Sequence, residues 1–333
     1  MKKKQIIAGV IAAALFIVIG VSSVCTNTFS SIISNSFSSS MSDAMMSDVS
    51  MYGFPLENFM GVVEIDGDMM FSEGTSYFSA PAGYNHTATI DYIEALAKAE
   101  NNVGILLYVN SGGGYTYIGD DLYLELMEYK EETGRPIYAY FDSIAASAAY
   151  YAAMSADEIY ANRMTTTGSI GVFMTIYDMT ELYDKLGIKE YMIRSGENKG
   201  VGGGGQEVTE EYLAIEQSQV DEYYNLFIDI IAQGRGLSRD EILPIADGRT
   251  FTAQQALELD LIDGIARYED YKEQVLGYMG DGVVYHEMSS EMSSFGSLFG
   301  SIMESVPKSE NQAILEFIES HENGGNRYES ICQ

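Results

Sequence analysis

The chain has 333 residues, 46% hydrophobic and 20% charged, enough to bury the core of one large α/β domain or two small ones and too apolar for a disordered tail. Its 18 Lys and Arg stand against 49 Asp and Glu, a net charge of −31, and a surface that acidic repels phosphate backbones and excludes nucleic acid as a partner. Cys25 and Cys332 lie near opposite ends, and His86, His286 and His321 have no HxH or HxxxH spacing, so a disulfide scaffold, a metal site, a cysteine nucleophile and a bound cofactor are not expected.

In chain order, Lys2, Lys3 and Lys4 precede 19 uncharged, mostly apolar positions, Ile6 to Val24. At 1.5 Å per residue that run just spans a bilayer core of roughly 30 Å. The expectation for residues 1–25 is a retained single-pass anchor, in contact with lipid through residues 6–24, with its lysines in the cytoplasm and the rest of the chain outside the cell membrane. A cleaved signal peptide is the alternative. Residues 26–60, rich in Ser and Met, read as a flexible stalk, and residues 289–333 as a flexible tail with one short amphipathic run, Ala313–Ile318.

Between them, residues 61–288 alternate short apolar runs with helical periods. Val62–Ile65 and Val103–Asn110 predict strands, the second apolar enough to be buried on both faces. Ile118, Leu122, Leu126 and Tyr129 predict a helix, which Gly134-Arg135-Pro136 breaks before a strand at Ile137–Phe141. Strand, glycine turn, helix, strand is a βαβ unit, and it implies parallel pairing with a right-handed crossover. A helix at Ala148–Met154, strands at Glu158–Ala161 and Ser169–Met174, and a long helix faced by Val220, Tyr223, Tyr224, Phe227, Ile228 and Ile231 follow.

Three segments can carry chemistry. Asn110-Ser-Gly-Gly-Gly114 ends a buried strand, where consecutive glycines can aim backbone N–H groups at an oxyanion or a phosphate, or simply make a tight turn. Ser147 stands where a strand meets an alanine-rich helix, its hydroxyl left reachable by small neighbours or spent as an ordinary N-cap. Lys199 opens a glycine-rich loop and is either a general base or a solvated loop lysine. A lysine serves as a base only where burial lowers its amine from an ordinary pKa of about 10.4. Hydroxyl, amine and glycine loop together form the serine–lysine variant of acyl-transfer chemistry.

Over roughly residues 61–270 the chain resembles the signal peptide peptidase A family, membrane-bound serine–lysine peptidases, in its short form. The resemblance is carried by Asn110-Ser-Gly-Gly-Gly114, Ala146-Ser147-Ala-Ala-Tyr-Tyr151, Thr167-Gly-Ser-Ile-Gly-Val172, Gly196-Glu-Asn-Lys199, Ala232-Gln-Gly-Arg235, Ala246-Asp-Gly-Arg249, Ala256 and Leu261-Ile-Asp-Gly264. It implies Ser147 as nucleophile, Lys199 as general base and Ser169 as the hydroxyl that positions the lysine. The oxyanion donors it implies are backbone N–H groups at Gly113 or Gly114 and at Ala148. The family usually has proline at Gly112 and glycines at Ala148 and Ala149, and the two alanines are expected to narrow the cleft. The implied fold is the Clp-protease/crotonase-like spiral of βαβ units. Also implied is a homo-oligomeric ring whose subunits share active sites, acting as an endopeptidase, through an acyl-enzyme, on signal-peptide remnants and other short hydrophobic peptides. Two rivals remain: a catalytically inactive membrane-anchored scaffold, and a crotonase-like acyl-transfer enzyme, which would need basic residues for the coenzyme phosphates.

Overall fold

Residues 52–71 and 83–288 are described by the structure, a computed structural model. The expected anchor, the stalk up to residue 51 and the tail lie outside the described residues, and among the described residues no helix is long and apolar enough to cross a membrane.

Strand β1 (Phe59–Asp66) is followed by helix α1 (His86–Lys98), β2 (Asn102–Ser111), α2 (Thr116–Thr133) and β3 (Ile137–Ala146). β1 pairs with β2 and β2 with β3, all in parallel, the second pairing as the βαβ reading predicts. Each turn has a visible cause. Asn85 caps α1, its side chain accepting from Ala88 N–H at 3.2 Å. α2 ends on Gly134 in the left-handed region, with Pro136 unable to continue it. Ile118, Leu122, Leu126 and Tyr129 are the buried face of α2, and together with Ile93 and Leu96 of α1 they cover one side of the sheet.

Beyond Phe141, β3 breaks register. Val109 faces Phe141 but Ser111 faces Ala145, so β3 uses two more residues than β2 over the same span. The strand thereby changes neighbours: residues 138–141 pair with β4 (Glu158–Ala161), and residues 144–146 with β5 (Thr166–Gly168). The β3 end stays in the sheet, with Ala145 opposite Ser111 and β5 in place of β4, and carries Ala146 toward the loop at Gly113. Helix α3 (Ala148–Ala152), with a 3₁₀ turn over Ala153–Ser155, follows it.

The remaining elements are α4 (Thr180–Leu186), α5 (Glu210–Arg235), α6 (Arg239–Ile242), β6 (Thr250–Thr252), α7 (Ala253–Glu258), β7 (Gly264–Ile265), α8 (Tyr268–Met279) and β8 (Val284–Glu287). β6 runs antiparallel to β5, so the sheet is mixed, while β8 adds a parallel edge beside β1. α8 covers the second face of the sheet, packing Tyr271 and Val275 on Met60, Leu106 and Tyr140.

Two expectations are corrected. The strand expected at Ser169–Met174 is absent: the strand there is Thr166–Gly168, and Ser169, at φ 49°, turns the chain out of extended geometry. The stalk expected to run to residue 60 stops earlier. Phe59 and Met60 are fully buried in β1, and the rings of Tyr52 and Phe54 pack on Tyr92.

Candidate active site

Ser147 joins β3 to α3 with φ 55° and ψ −126°, a conformation that costs a non-glycine residue about 1–3 kcal/mol. Its N–H donates to Gly168 C=O at 2.9 Å, and its own C=O accepts from Tyr151 N–H at 2.9 Å, so backbone on both sides pins the turn. The hydroxyl makes no capping hydrogen bond to α3, which removes the ordinary N-cap reading. Instead Ser147 lines a pocket of about 200 Å³. A strained strand-to-helix turn that lifts a serine hydroxyl into a cleft is the geometry of a nucleophile elbow.

The glycine loop lies against this turn. A Cβ at Gly113 would stand 2.7 Å from both Ala146 O and Ala148 N and 2.8 Å from Ser147 Cβ, and Gly113 has φ 94°. A Cβ at Gly114 would fall 2.0 Å from Met69 O, because Met69 bridges to Gly114 and donates its N–H to Gly113 C=O. Only glycine permits that double approach. The three oxyanion candidates then separate. Gly113 is buried, and its N–H donates to Ser111 Oγ at 3.1 Å. Gly114 and Ala148 both line the Ser147 pocket, and among the described residues neither N–H has an acceptor. Of the two alanines expected to narrow the cleft, Ala148 lines it, while Ala149 is fully buried behind it.

Ser169 follows Gly168, whose carbonyl holds Ser147. Its φ is 49°, and its N–H donates to Arg249 C=O at 2.9 Å, while Gly248 N–H donates to Ile170 C=O at 3.0 Å. The Ala246–Arg249 segment therefore clamps the turn that carries Ser169. Arg249 also pairs with Asp247, and that guanidinium holds the Asp247 carboxyl down at about 2. Arg235 and Asp263, from two further segments of the resemblance, meet in a bidentate ion pair at 2.8 and 2.9 Å. Asp263 also accepts from Ile159 N–H, so this pair ties α5 to β4. These motif residues act as scaffold.

Lys199 is placed differently. It sits exposed in the glycine-rich turn, its N–H donating to Gly196 C=O at 3.2 Å. It is not among the residues lining the Ser147 pocket, and among the described residues its amine has no partner. The structure brings Ser147, Gly114 and Ala148 together, places Ser169 next to the Gly168 carbonyl that holds Ser147, and does not bring Lys199 to them. Sequence reasoning missed the pocket walls. The spacing puts Tyr223 and Phe227 on one face of a long helix, yet of the two only Phe227 is buried; Tyr223 lines the pocket with Asp120, Tyr151 and Leu226. Asp120 carried no local signal, since its partner Tyr151 is 31 residues away. Among the described residues no group of acidic, histidine or cysteine side chains could hold a metal ion.

The family match covers Ser147, Ser169 and Lys199 but not the glycine loop. Residues 129–276 match Peptidase family S49. The chain is 32% identical over 197 residues to a protein of Enterococcus faecium provisionally named signal peptide peptidase SppA, covering 59% of this chain and 57% of that one. To the chloroplastic serine protease SPPA of Arabidopsis thaliana it is 29% identical over 177 residues, 53% of this chain and 26% of that one. It thus spans little more than half the length of the nearer of the two. A point mutant of ClpP1 from Listeria monocytogenes superposes with a TM-score of 0.39 at 15% identity, over 63% of this chain and 92% of that chain. Residues 129–276 thus carry a peptidase family S49 domain, and the chain is similar to proteins named signal peptide peptidase A.

Proposed function

We propose that the chain is a membrane-anchored serine endopeptidase with a Ser147–Lys199 dyad. Ser147 Oγ attacks the peptide carbonyl, and its proton passes to the Lys199 amine. The oxyanion is held by the N–H groups of Gly114 and Ala148. The lysine returns the proton to the leaving amine, and water then releases the acyl-enzyme by the same route. Ser169 positions the amine. The observation that carries the reading is the uncapped Ser147 hydroxyl, held at a strained φ in a pocket beside two N–H groups that have no acceptor among the described residues.

A lysine base needs a buried setting, and the single chain gives Lys199 none. The segment that carries it supports a second subunit as the source of that setting. Helix α4 buries no residue, and Phe173, Tyr191 and Ile193 are 88%, 84% and 101% exposed, more apolar surface than a solvated arm needs. The assembly proposed is a homo-oligomeric ring of Clp/crotonase-like subunits in which Lys199 of one completes the site of the next. Residues 6–24 anchor the ring in the cell membrane with the catalytic domain outside, and the substrates are signal-peptide remnants and other short hydrophobic peptides. The test is labelling of the full-length protein by a fluorophosphonate, with the modified residue read by mass spectrometry. Labelling at Ser147, lost in Lys199→Ala, is the expected result; labelling elsewhere, or unchanged labelling in Lys199→Ala, contradicts the dyad.

A further inference from the structure

The pocket beside Ser147 carries one charge. Its walls are apolar and aromatic, with Tyr117, Tyr151, Leu226 and Phe227 prominent, and Asp120 is the one carboxylate among the residues that line it. Asp120 lies on α2, half-buried, and its Oδ1 accepts from the Tyr151 hydroxyl at 2.5 Å. The Tyr151 ring is itself fixed between Tyr123 at 5.6 Å and Phe227 at 5.1 Å, so the bearing of the carboxylate is set. Its second oxygen has no hydrogen-bond partner and no ion pair among the described residues. Asp121 beside it is spent differently, accepting from His86 Nε2 at 2.8 Å.

A carboxylate facing an apolar-walled cleft is costly to cover unless what covers it brings a compensating charge. An aliphatic side chain would bury the free oxygen without a partner. A side chain with an apolar shaft and a cationic end satisfies both features, its stem on the aromatic walls and its head on Asp120. The net charge of −31 adds a long-range attraction for the same ligands. We infer that Asp120 is a specificity-determining residue, and that the pocket receives a Lys or Arg side chain from the residue that donates the scissile carbonyl. The inference deepens the peptidase reading and rests on it for calling the ligand a substrate.

The experiment uses the full-length protein in detergent and paired peptides that differ only in lysine against norleucine at that residue. Two quantities are read: the ratio of kcat/KM for the pair, and the ratio of affinities for the Ser147→Ala chain by fluorescence anisotropy. We expect lysine to be preferred about tenfold or more in both, the scale of one charge-assisted hydrogen bond. In Asp120→Asn, which keeps an acceptor for Tyr151, both ratios should fall toward one. Equal treatment of the two peptides, or a preference that survives Asp120→Asn, overturns the inference. Hydrolysis that favours norleucine leaves the peptidase reading standing and removes this one. Asp120-dependent binding without hydrolysis keeps the pocket assignment and sinks the peptidase.

Discussion

Around Ser147, residues Ala145, Ala146, Ala148 and Ala149 are 0–6% exposed, held in the core beside the mixed sheet, whereas Phe173, Tyr191 and Ile193 on the way to Lys199 lie almost fully in solvent. The Ser147 side of the candidate site is preorganised inside one chain: a strained turn, a glycine loop against it, and a second turn clamped by Arg249. The lysine's side has the residue and the glycine-rich turn but no enclosing wall. The proposed dyad, with its lysine supplied by a neighbouring subunit, accounts for that difference.

The largest expected effect is on chemistry. Ser147→Ala and Lys199→Ala should each lower kcat for peptide hydrolysis by about 10⁴-fold or more, since a dyad acts as a unit. Near-normal turnover in either variant would break the comparison at its base. Stability should part the two regions next. Gly113→Ala puts a Cβ into the Ala146–Ala148 backbone at φ 94° and should cost about 2–4 kcal/mol in urea denaturation. Gly196→Ala meets nothing within 4 Å and should move the melting temperature little. Equal costs at the two glycines would mean that the arm is as tightly packed as the body. Ser169→Ala should reduce kcat by about tenfold, less than loss of either dyad member, because positioning is lost and the proton acceptor is kept. A loss as deep as that of Lys199→Ala would give Ser169 a larger part.

The smallest effects are on the pH dependence of the body's stability. Burial, with Glu94, Glu128, Asp121 and Glu132 nearby, raises the Glu125 carboxyl from 4.5 to about 7. A raised acid contributes stability that is fully present below its unfolded pKa of about 4.5 and is lost as pH rises through about 7. Glu125→Gln should therefore raise the melting temperature at pH 8 and leave it nearly unchanged at pH 4.5. His286 goes the other way. Burial lowers it from 6.5, so its contribution is present above about 6.5 and is lost as pH falls through its lower folded value. Replacing His286 with Gln should flatten the acid side of the stability profile, and an unchanged acid limb would assign that limb to other groups.

How much of this was legible in the sequence follows the same division. β2 and β3 were readable because both of their faces are largely buried, so VGILLYV and IYAYF are apolar without interruption. α2 was readable from its spacing and its Gly134 stop. The strand expected at Ser169–Met174 was misread because apolarity alone does not reveal the turn at Ser169, and Phe173 and Met174 turn out exposed. β8 is only four residues long and half exposed at a sheet edge, and its partner β1 lies more than 200 residues earlier, so no local pattern announces it. Within the site, the serine turn and the glycine loop are contiguous motifs and could be named. The wall residues Asp120, Tyr151 and Tyr223 come from three helices and meet only in the fold. The exposure of Lys199 could not be read at all, since nothing in Gly196-Glu-Asn-Lys199 says which surface the loop will face.

The claim that one subunit supplies the serine and its neighbour the lysine has a direct measurement. Ser147→Ala and Lys199→Ala chains, each inactive alone, are mixed, dissociated and reassembled, and peptide hydrolysis is followed against the fraction of each. The account predicts that activity returns, peaking near equal proportions, because some sites then pair an intact Ser147 with an intact Lys199 from the other variant. If the mixtures stay inactive at every ratio although mixed assemblies form, the shared dyad is contradicted, and Lys199 must reach Ser147 within its own chain or take no part.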